Sequence, residues 1–465
     1  MNTETKSNKS SDMLPVIFGL AWPTMVEQLM QTVVQYIDTA MVGVLGTQAT
    51  AAVGSTTTVN WLVNSSISAL SMGFLSFIAR SYGANDKEQA GKVTTQAVLA
   101  TLVVGIFFTI ATLSLSGMIP KWMSVEETLQ PLATTYFFIL YMPMLPRAAI
   151  IMFGTALRAT GDTQTPMRVG IGVNLINVVL NFFLIYPSRE MVLGNTSIMI
   201  PGAGFGIAGA AASSAIAFTF GGIYMTFSLW KHPVISPKGK RIVPDTKILK
   251  PCLKVALPNM LQRFGTSLGY VAFASMVNSL GEISTAAHTI ANTVESLFYI
   301  PAYGMQTASA TLAGNALGAK DNPRMKTLAR TIIKLEFLLM TLSGGLLFIF
   351  APNMMSMFSK SSEVIALGSV VLRMVAVSEP IYGVAIIMEG MMLGVGETVT
   401  PFKFNILGMW GIRIVGTFIC TQLLHMTLIS AWGCMIAHNL MLFIMFSLYY
   451  RTGKWNPLNE LKLSH

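Results

Sequence analysis

Twelve apolar stretches follow one another from about residue 14 to residue 450, separated by short polar connections. They fall at roughly 14–44, 51–81, 94–118, 128–157, 166–187, 205–230, 250–279, 285–316, 326–350, 363–393, 401–424 and 428–450. A helix needs about 20 apolar residues to cross a bilayer, so twelve would take about 240. The chain has 465 residues and can supply them. Charged residues make up only 11% of it, against roughly a quarter in soluble domains. The pattern excludes a disordered chain and argues against a soluble enzyme. It predicts an all-α membrane protein of twelve transmembrane helices.

The charges then orient the spans. Basic residues gather on alternate connections: Lys6 and Lys9, then Lys87 and Lys92, then Arg158 and Arg168. The central connection is the richest, with Lys231, Lys238, Lys240, Arg241 and Lys247. Lys320, Arg324, Lys403, Arg451 and Lys454 continue the series, while the opposite connections hold only Lys121, Arg189 and Lys360. By the positive-inside rule both termini and the central loop are expected in the cytoplasm. The same asymmetry accounts for the net charge of +10 without a nucleic-acid partner. The polar start, Met1 to Met13, reads as a tail rather than a signal peptide. Three cysteines, Cys252, Cys420 and Cys434, suggest neither a disulfide framework nor a metal site.

One offset repeats along the chain. Adding 235 takes Pro23 to Pro258, Gly83-Ala84 to Gly318-Ala319, Asp86 to Asp321, Gly161 to Gly396 and Thr165-Pro166 to Thr400-Pro401. Six helices per repeat is an even number, so the halves share one orientation. Parallel repeats of this kind put a site at their interface, the arrangement of transporters. The expected division is a tail at 1–13, a first bundle at 14–231, a loop at 232–249, a second bundle at 250–450 and a tail at 451–465.

Ionisable groups inside spans are functional candidates because burial in lipid costs several kcal/mol. Asp38 is the clearest, and Glu27, Gln31 and Asp38 form one polar stripe on helix one. Pro23 removes a helical hydrogen bond there and marks a hinge or a fixed kink. Helix five carries Asn174, Asn177 and Asn181 on one face, and helix six brings Ser214 after a run of small residues. In the second half Gln262, Arg263, Glu295, Arg373, Glu379, Glu389 and Arg413 fall within or at the ends of spans. Salt bridges locking the second bundle are the expectation for these arginines and glutamates, and His288 reads as structural. No P-loop, HExxH or paired CxxC occurs, so neither an enzyme nor a cofactor is expected. Energy would come from an ion gradient.

These residues resemble the multidrug and toxic compound extrusion (MATE) family. The resemblance rests on Pro23 to Asp38 in helix one, the loop Tyr82-Gly83-Ala84-Asn85-Asp86, and Leu157 to Pro166 with its Gly161-Asp162. Asn177-Val-Val-Leu-Asn181, Gly209-Ala210-Ala211, Ala286-Ala287-His288 and Gly394-Val395-Gly396-Glu397 continue it. It implies two six-helix lobes in a V, alternating access, and export of amphiphilic or cationic compounds, as a monomer of the cell membrane, against inward H+ or Na+. The family's cation site maps onto Asp38, Asn177, Asn181 and Ser214, and its bend proline onto Pro23. One carboxylate among neutral amides leans towards H+. A polyisoprenoid-linked oligosaccharide flippase of similar architecture is the alternative, for which Arg147 and Arg263 would be the interior cations.

The charge pattern makes a topological prediction. Reporter fusions after Pro237 and after Pro457 should read cytoplasmic, and one after Asn195 external. An external reading at Pro237 would overturn the six-helix count of the first half.

Overall fold

The computed structural model describes residues 10–123, 125–193 and 196–462; Lys6, Lys9 and Asn195 lie outside them. The first half begins with two long helices, α1 (Ser10–Gly43) and α2 (Thr47–Gly83), followed by α3 (Lys87–Leu115) and the short α4 (Ile119–Trp122). The pair α5 (Gln130–Tyr141) and α6 (Met144–Ala159) replaces the single helix expected at 128–157, with a 50° bend between them. Pro143 stands at the break, where it has no N–H to continue the ladder. Next come α7 (Gln164–Leu184), a hairpin of β1 (Pro187–Leu193) and β2 (Thr196–Ala203), and α8 (Gly206–Lys231).

The second half holds α9 (Thr246–Asn278), α10 (Glu282–Phe298), α11 (Ile300–Gly318), α12 (Asn322–Phe358) and α13 (Ser362–Val395). Its eleventh span starts as α14 (Val399–Ile406), widens to a π-helix over Leu407–Ile414, returns as α15 (Val415–Phe418) and widens again over Ile419–Leu423. The chain closes with α16 (Leu428–Thr452). Nine of the described helices are long and apolar enough to span a membrane, and the bent pair α5–α6 makes a tenth. α9 and the pair α10–α11 complete the twelve by repeat position: α2 covers Thr47–Gly83, and α10–α11 cover Glu282–Gly318, 235 residues on.

Helix-stop and helix-start signals carry the repeat. Asp86 caps α3 by accepting from the Gln89 amide at 2.9 Å, and Asp321 caps α12 by accepting from Arg324 at 2.9 Å. Asp162 and Glu397 do the same for Thr165 and Thr400 at 3.0 and 2.9 Å. Gly161 and Gly396, at φ 91° and 88°, hold the left-handed turn that ends the preceding helix. The β hairpin breaks the symmetry. Among the described residues it sits only in the first half, between the spans expected at 166–187 and 205–230, and its strands pair antiparallel from Pro187–Ala203 to Leu193–Thr196.

The two halves exchange their first helical turns. Met13, Ile17, Leu20 and Ala21 of α1 pack in the core built by α11, α12, α13 and α16 of the second half. Ile248, Cys252 and Ala256 of α9 pack in the first-half core instead. Met13, Ile17 and Ala21 are related to Ile248, Cys252 and Ala256 by the same 235-residue offset. Glycines permit the close approach. A Cβ on Gly83 would strike the Asn315 backbone, and one on Gly318 the Arg80 carbonyl. The halves are therefore shut against one another at the end that carries the basic connections. Nearer the other end they leave a cavity of about 660 Å³ between α2 and the second half.

Helix α1 runs unbroken through Pro23. The proline cannot donate to the Gly19 carbonyl, and the Thr163 hydroxyl stands 3.5 Å from that oxygen instead.

Candidate functional site

Small residues set the first polar site. A Cβ on Gly209 of α8 would run into the Leu184 carbonyl of α7, and one on Gly221 would meet Val173, so these glycines let α7 and α8 lie close. Asn177 and Asn181, four residues apart on α7, then share one face toward α1 and α8. Asn181 Nδ2 donates to Asp38 Oδ1 at 2.6 Å. Oriented with its NH2 toward Asp38, Asn177 donates to both carboxylate oxygens, at 2.8 and 3.1 Å, and accepts from the Ser214 hydroxyl at 2.9 Å. Asn177 and Asn181 are buried, at 5% and 1% exposure, whereas Asp38 and Ser214 are half-buried. The structure thus brings together Asp38, Asn177, Asn181 and Ser214. Asn174 stays outside this cluster, its Nδ2 buried without a partner among the described residues.

The polar stripe on α1 divides. Glu27 Oε2 pairs with Arg158 Nη2 at 2.5 Å, in the space left by the missing Cβ of Gly170. At 1.5 Å per residue that pair lies about 16 Å along the helix from Asp38. Gln31, between them, is exposed. Arg158, at the end of α6, is the partner that the sequence reading missed.

The expected salt bridges of the second half do not form. Among the described residues the ion pairs are Arg158–Glu27 and Lys92–Glu88, and none joins Arg263, Arg373 or Arg413 to Glu295, Glu379 or Glu389. Aromatic faces take the cations instead. Arg413 lies over Phe273 at 4.3 Å and Tyr270 at 4.9 Å, and Arg373 over Phe348 at 5.6 Å while donating to the Phe348 carbonyl. Glu389 accepts from Gln262 at 2.6 Å. Arg263 keeps its Nε buried without an acceptor. Glu379 and Glu336 are fully buried, and none of their carboxylate oxygens has a hydrogen-bond partner among the described residues. Glu336 was readable as an acid inside the span expected at 326–350, yet its helical neighbours Ile332, Ile333, Leu339 and Met340 are all apolar and do not single it out.

The cavity between the halves draws its lining from Thr57, Trp61 and Leu62 of α2, and from α9, α10, α11, α13, α16 and the π-helical segment. Aromatic rings dominate it, including Trp61, Tyr270, Phe273, Tyr299 and Tyr303. Glu295, Arg413 and His288 also line it. His288 is wedged edge-on between Phe273 and Trp432, at 5.5 and 5.9 Å between centroids. In the first half Arg147 donates to Asn60 at 2.5 Å and lies over Phe218 at 4.7 Å.

Two parallel six-helix repeats, with polar groups turned onto a shared interior and a cavity between them, define a membrane transporter. The MatE family model matches the chain twice, over residues 23–183 and 258–419, and the chain belongs to this family. The matches start 235 residues apart and end 236 apart. The chain is similar to the "Probable multidrug resistance protein NorM" of Thermotoga maritima, 25% identical over 94% of this chain and 92% of that one. It is similar also to the multidrug resistance protein MdtK of Yersinia pseudotuberculosis, 22% identical over 85% and 84%. Its fold matches a MOP superfamily transporter from Pyrococcus furiosus with a TM-score of 0.87, 24% identity and 96% of each chain covered. A multidrug resistance MATE family transporter solved in an outward-facing conformation matches equally well, at TM-score 0.87, 23% identity and 96% of each chain. MATE proteins are transporters, not enzymes, and the flippase alternative is not favoured.

The Glu27–Arg158 pair generates a stability prediction. Glu27→Gln strands a largely enclosed guanidinium, and breaking a fully buried pair from one side costs about 3–5 kcal/mol, the upper bound here. Thermal unfolding of the purified protein should show that loss, and Arg158→Gln in the same chain should recover most of it. Wild-type stability in Glu27→Gln would mean that the pair holds nothing together.

Proposed function

We propose that this chain is a multidrug exporter of the cell membrane, carrying amphiphilic organic cations outward in exchange for inward H+. The observation that supports this reading is the Asp38 cluster. Both asparagines turn their NH2 groups to one carboxylate, and amide nitrogens stabilise its charged form. A cation arriving there meets a single carboxylate rather than a cage of oxygens, which suits a proton better than Na+. Asp38 is half-buried, so the proton has a route to it.

In this reading the basic connections and both termini are cytoplasmic, the chain is a monomer, and the closed end faces inward. The aromatic cavity then faces outward, and its rings suit flat amphiphiles. Protonation of Asp38 removes the lone negative charge of its cluster, and the loaded and empty carriers differ by that charge. A ligand shifts a two-state equilibrium only by binding the states differently, and the proton does so at Asp38.

Pro23 sits between the part of α1 held by the second half and the part that carries Asp38. It acts as the hinge between them. The Gly19 carbonyl, free of a helical donor, exchanges partners at low cost as α1 bends.

Proteoliposomes loaded with a cationic dye, with H+ and Na+ gradients imposed separately, test the coupling. Efflux should follow the H+ gradient in the wild type and vanish in Asp38→Asn, with folding unchanged. Efflux driven by Na+ alone, or wild-type rates in the mutant, would overturn the assignment.

Pro23→Ala restores the missing helical bond, which favours a helix by about 3 kcal/mol over proline. Dye efflux and thermal stability measured on this one mutant should move apart, with stability raised and efflux lost. Unchanged efflux would make Pro23 a fixed kink.

A further inference from the structure

Arg413 stands on the wall of the central cavity, at 3% exposure, in no ion pair among the described residues. Its Nε is buried without an acceptor, and no carboxylate lies within 4.0 Å among the described residues. Glu295 lines the same cavity, at 5% exposure, and interacts with Arg413 across space without pairing with it. Two opposite charges enclosed together ordinarily close into an ion pair, because water is not there to solvate them separately. Here the guanidinium is held off by the faces of Phe273 and Tyr270, at 4.3 and 4.9 Å.

The repeat gives this position a meaning. Asp38 plus 235 is Phe273. The two family matches are 236 apart at their ends, and a π-helix absorbs one extra residue, as at Leu407–Ile414. Asn177 plus 236 is then Arg413. Where the first half sets a carboxylate against an amide, the second half sets an aromatic ring against a fixed cation. The polarity of the pair is reversed between the halves.

We propose that Arg413 is an anion subsite of the central cavity, selecting aromatic amphiphiles that carry an acidic group beside their cationic one. This rests on the reading of that cavity as the substrate site. A carboxylate takes two parallel N–H donors from a guanidinium, a geometry that lysine does not reproduce. The aromatic body of the ligand lies among Trp61, Tyr270 and Tyr299, and its cationic group is met by Glu295. Both enclosed charges gain a partner at once, which neither a simple cation nor a simple anion provides.

Two xanthene dyes test this: a rhodamine with a free carboxylate, and its methyl ester, which carries a methyl group in place of the negative charge. Their equilibrium binding to the full chain in lipid nanodiscs is read by fluorescence polarisation. The wild type should bind the acid at least as tightly as the ester. A charge-assisted bond lost from a buried site corresponds to about tenfold or more in affinity, so Arg413→Gln should weaken the acid by that factor and leave the ester unchanged. Arg413→Lys should fall between. Equal weakening of both dyes, or of neither, would overturn the subsite. Should Arg413→Gln not fold, the wild-type comparison decides alone, and a preference for the ester rejects the proposal. Binding here needs no gradient. Loss of gradient-driven ester efflux would therefore sink the exporter reading while leaving the acid-to-ester ratio to judge Arg413.

Discussion

A hydrocarbon layer offers no water to hydrogen-bond, and every polar group inside it must find its partner within the protein. That constraint accounts for the helices first, since each satisfies its own backbone. It also accounts for the places where helices stop. Asp86, Asp162, Asp321 and Glu397 each take a free amide at the start of the next helix. Where Pro23 frees the Gly19 carbonyl, a threonine hydroxyl from the α6–α7 connection approaches it. Glu27 is admitted to the interior with Arg158 beside it. The groups left over, among them the carboxylates of Glu336 and Glu379 and the guanidinium of Arg413, are then the ones whose burial needs another explanation.

The exchange of helix heads follows from the repeat. Each half contributes a helix whose first turns are apolar on a face that its own bundle does not cover. Met13, Ile17 and Ala21 bury that face in the second half, and Ile248, Cys252 and Ala256 bury theirs in the first. Two such arms, related by a single offset, tie the halves at one end and leave the other end apart. A proline follows each arm, Pro23 and Pro258, at the point where the helix returns to its own bundle. Closure at this end depends as much on missing atoms as on contacts. Gly83 and Gly318 let α2 and α11 touch backbone to backbone, where any side chain would hold them apart.

Similar as they are in plan, the halves differ in chemistry. The first gathers two asparagines around Asp38, with amides turned to a single carboxylate. The second sets Glu295 and Arg413 on a cavity wall and holds Arg413 and Arg373 by ring faces. Duplication supplied one scaffold twice, and the side chains at matching positions diverged. A cation–aromatic contact needs no counter-ion, so it holds a guanidinium in place without offsetting its charge.

The sequence by itself determined the twelve spans, their division into two parallel repeats and the turns that end them, because hydrophobic length, basic connections and capping residues are local signals. It also marked the members of the first cluster: Asp38 is an acid in an apolar run, and Asn177 and Asn181 fall on one helical face. Pairing was decided only by the tertiary structure. Glu27 and Asp38 lie on the same stripe of α1, yet one meets Arg158 and the other meets two asparagines, because the end of α6 brings Arg158 to Glu27 while Asn177 and Asn181 stand further along α7. The salt bridges expected among Arg263, Arg373, Arg413 and the second-half glutamates did not form, since residue type fixes which partners are possible but not which stand within reach. Nor did the chain announce the bend at Pro143, the π-helical turns around Arg413 or the β hairpin. Each is a local departure from a regular helix or loop, and the packing of neighbouring elements, absent from a linear pattern, selects it.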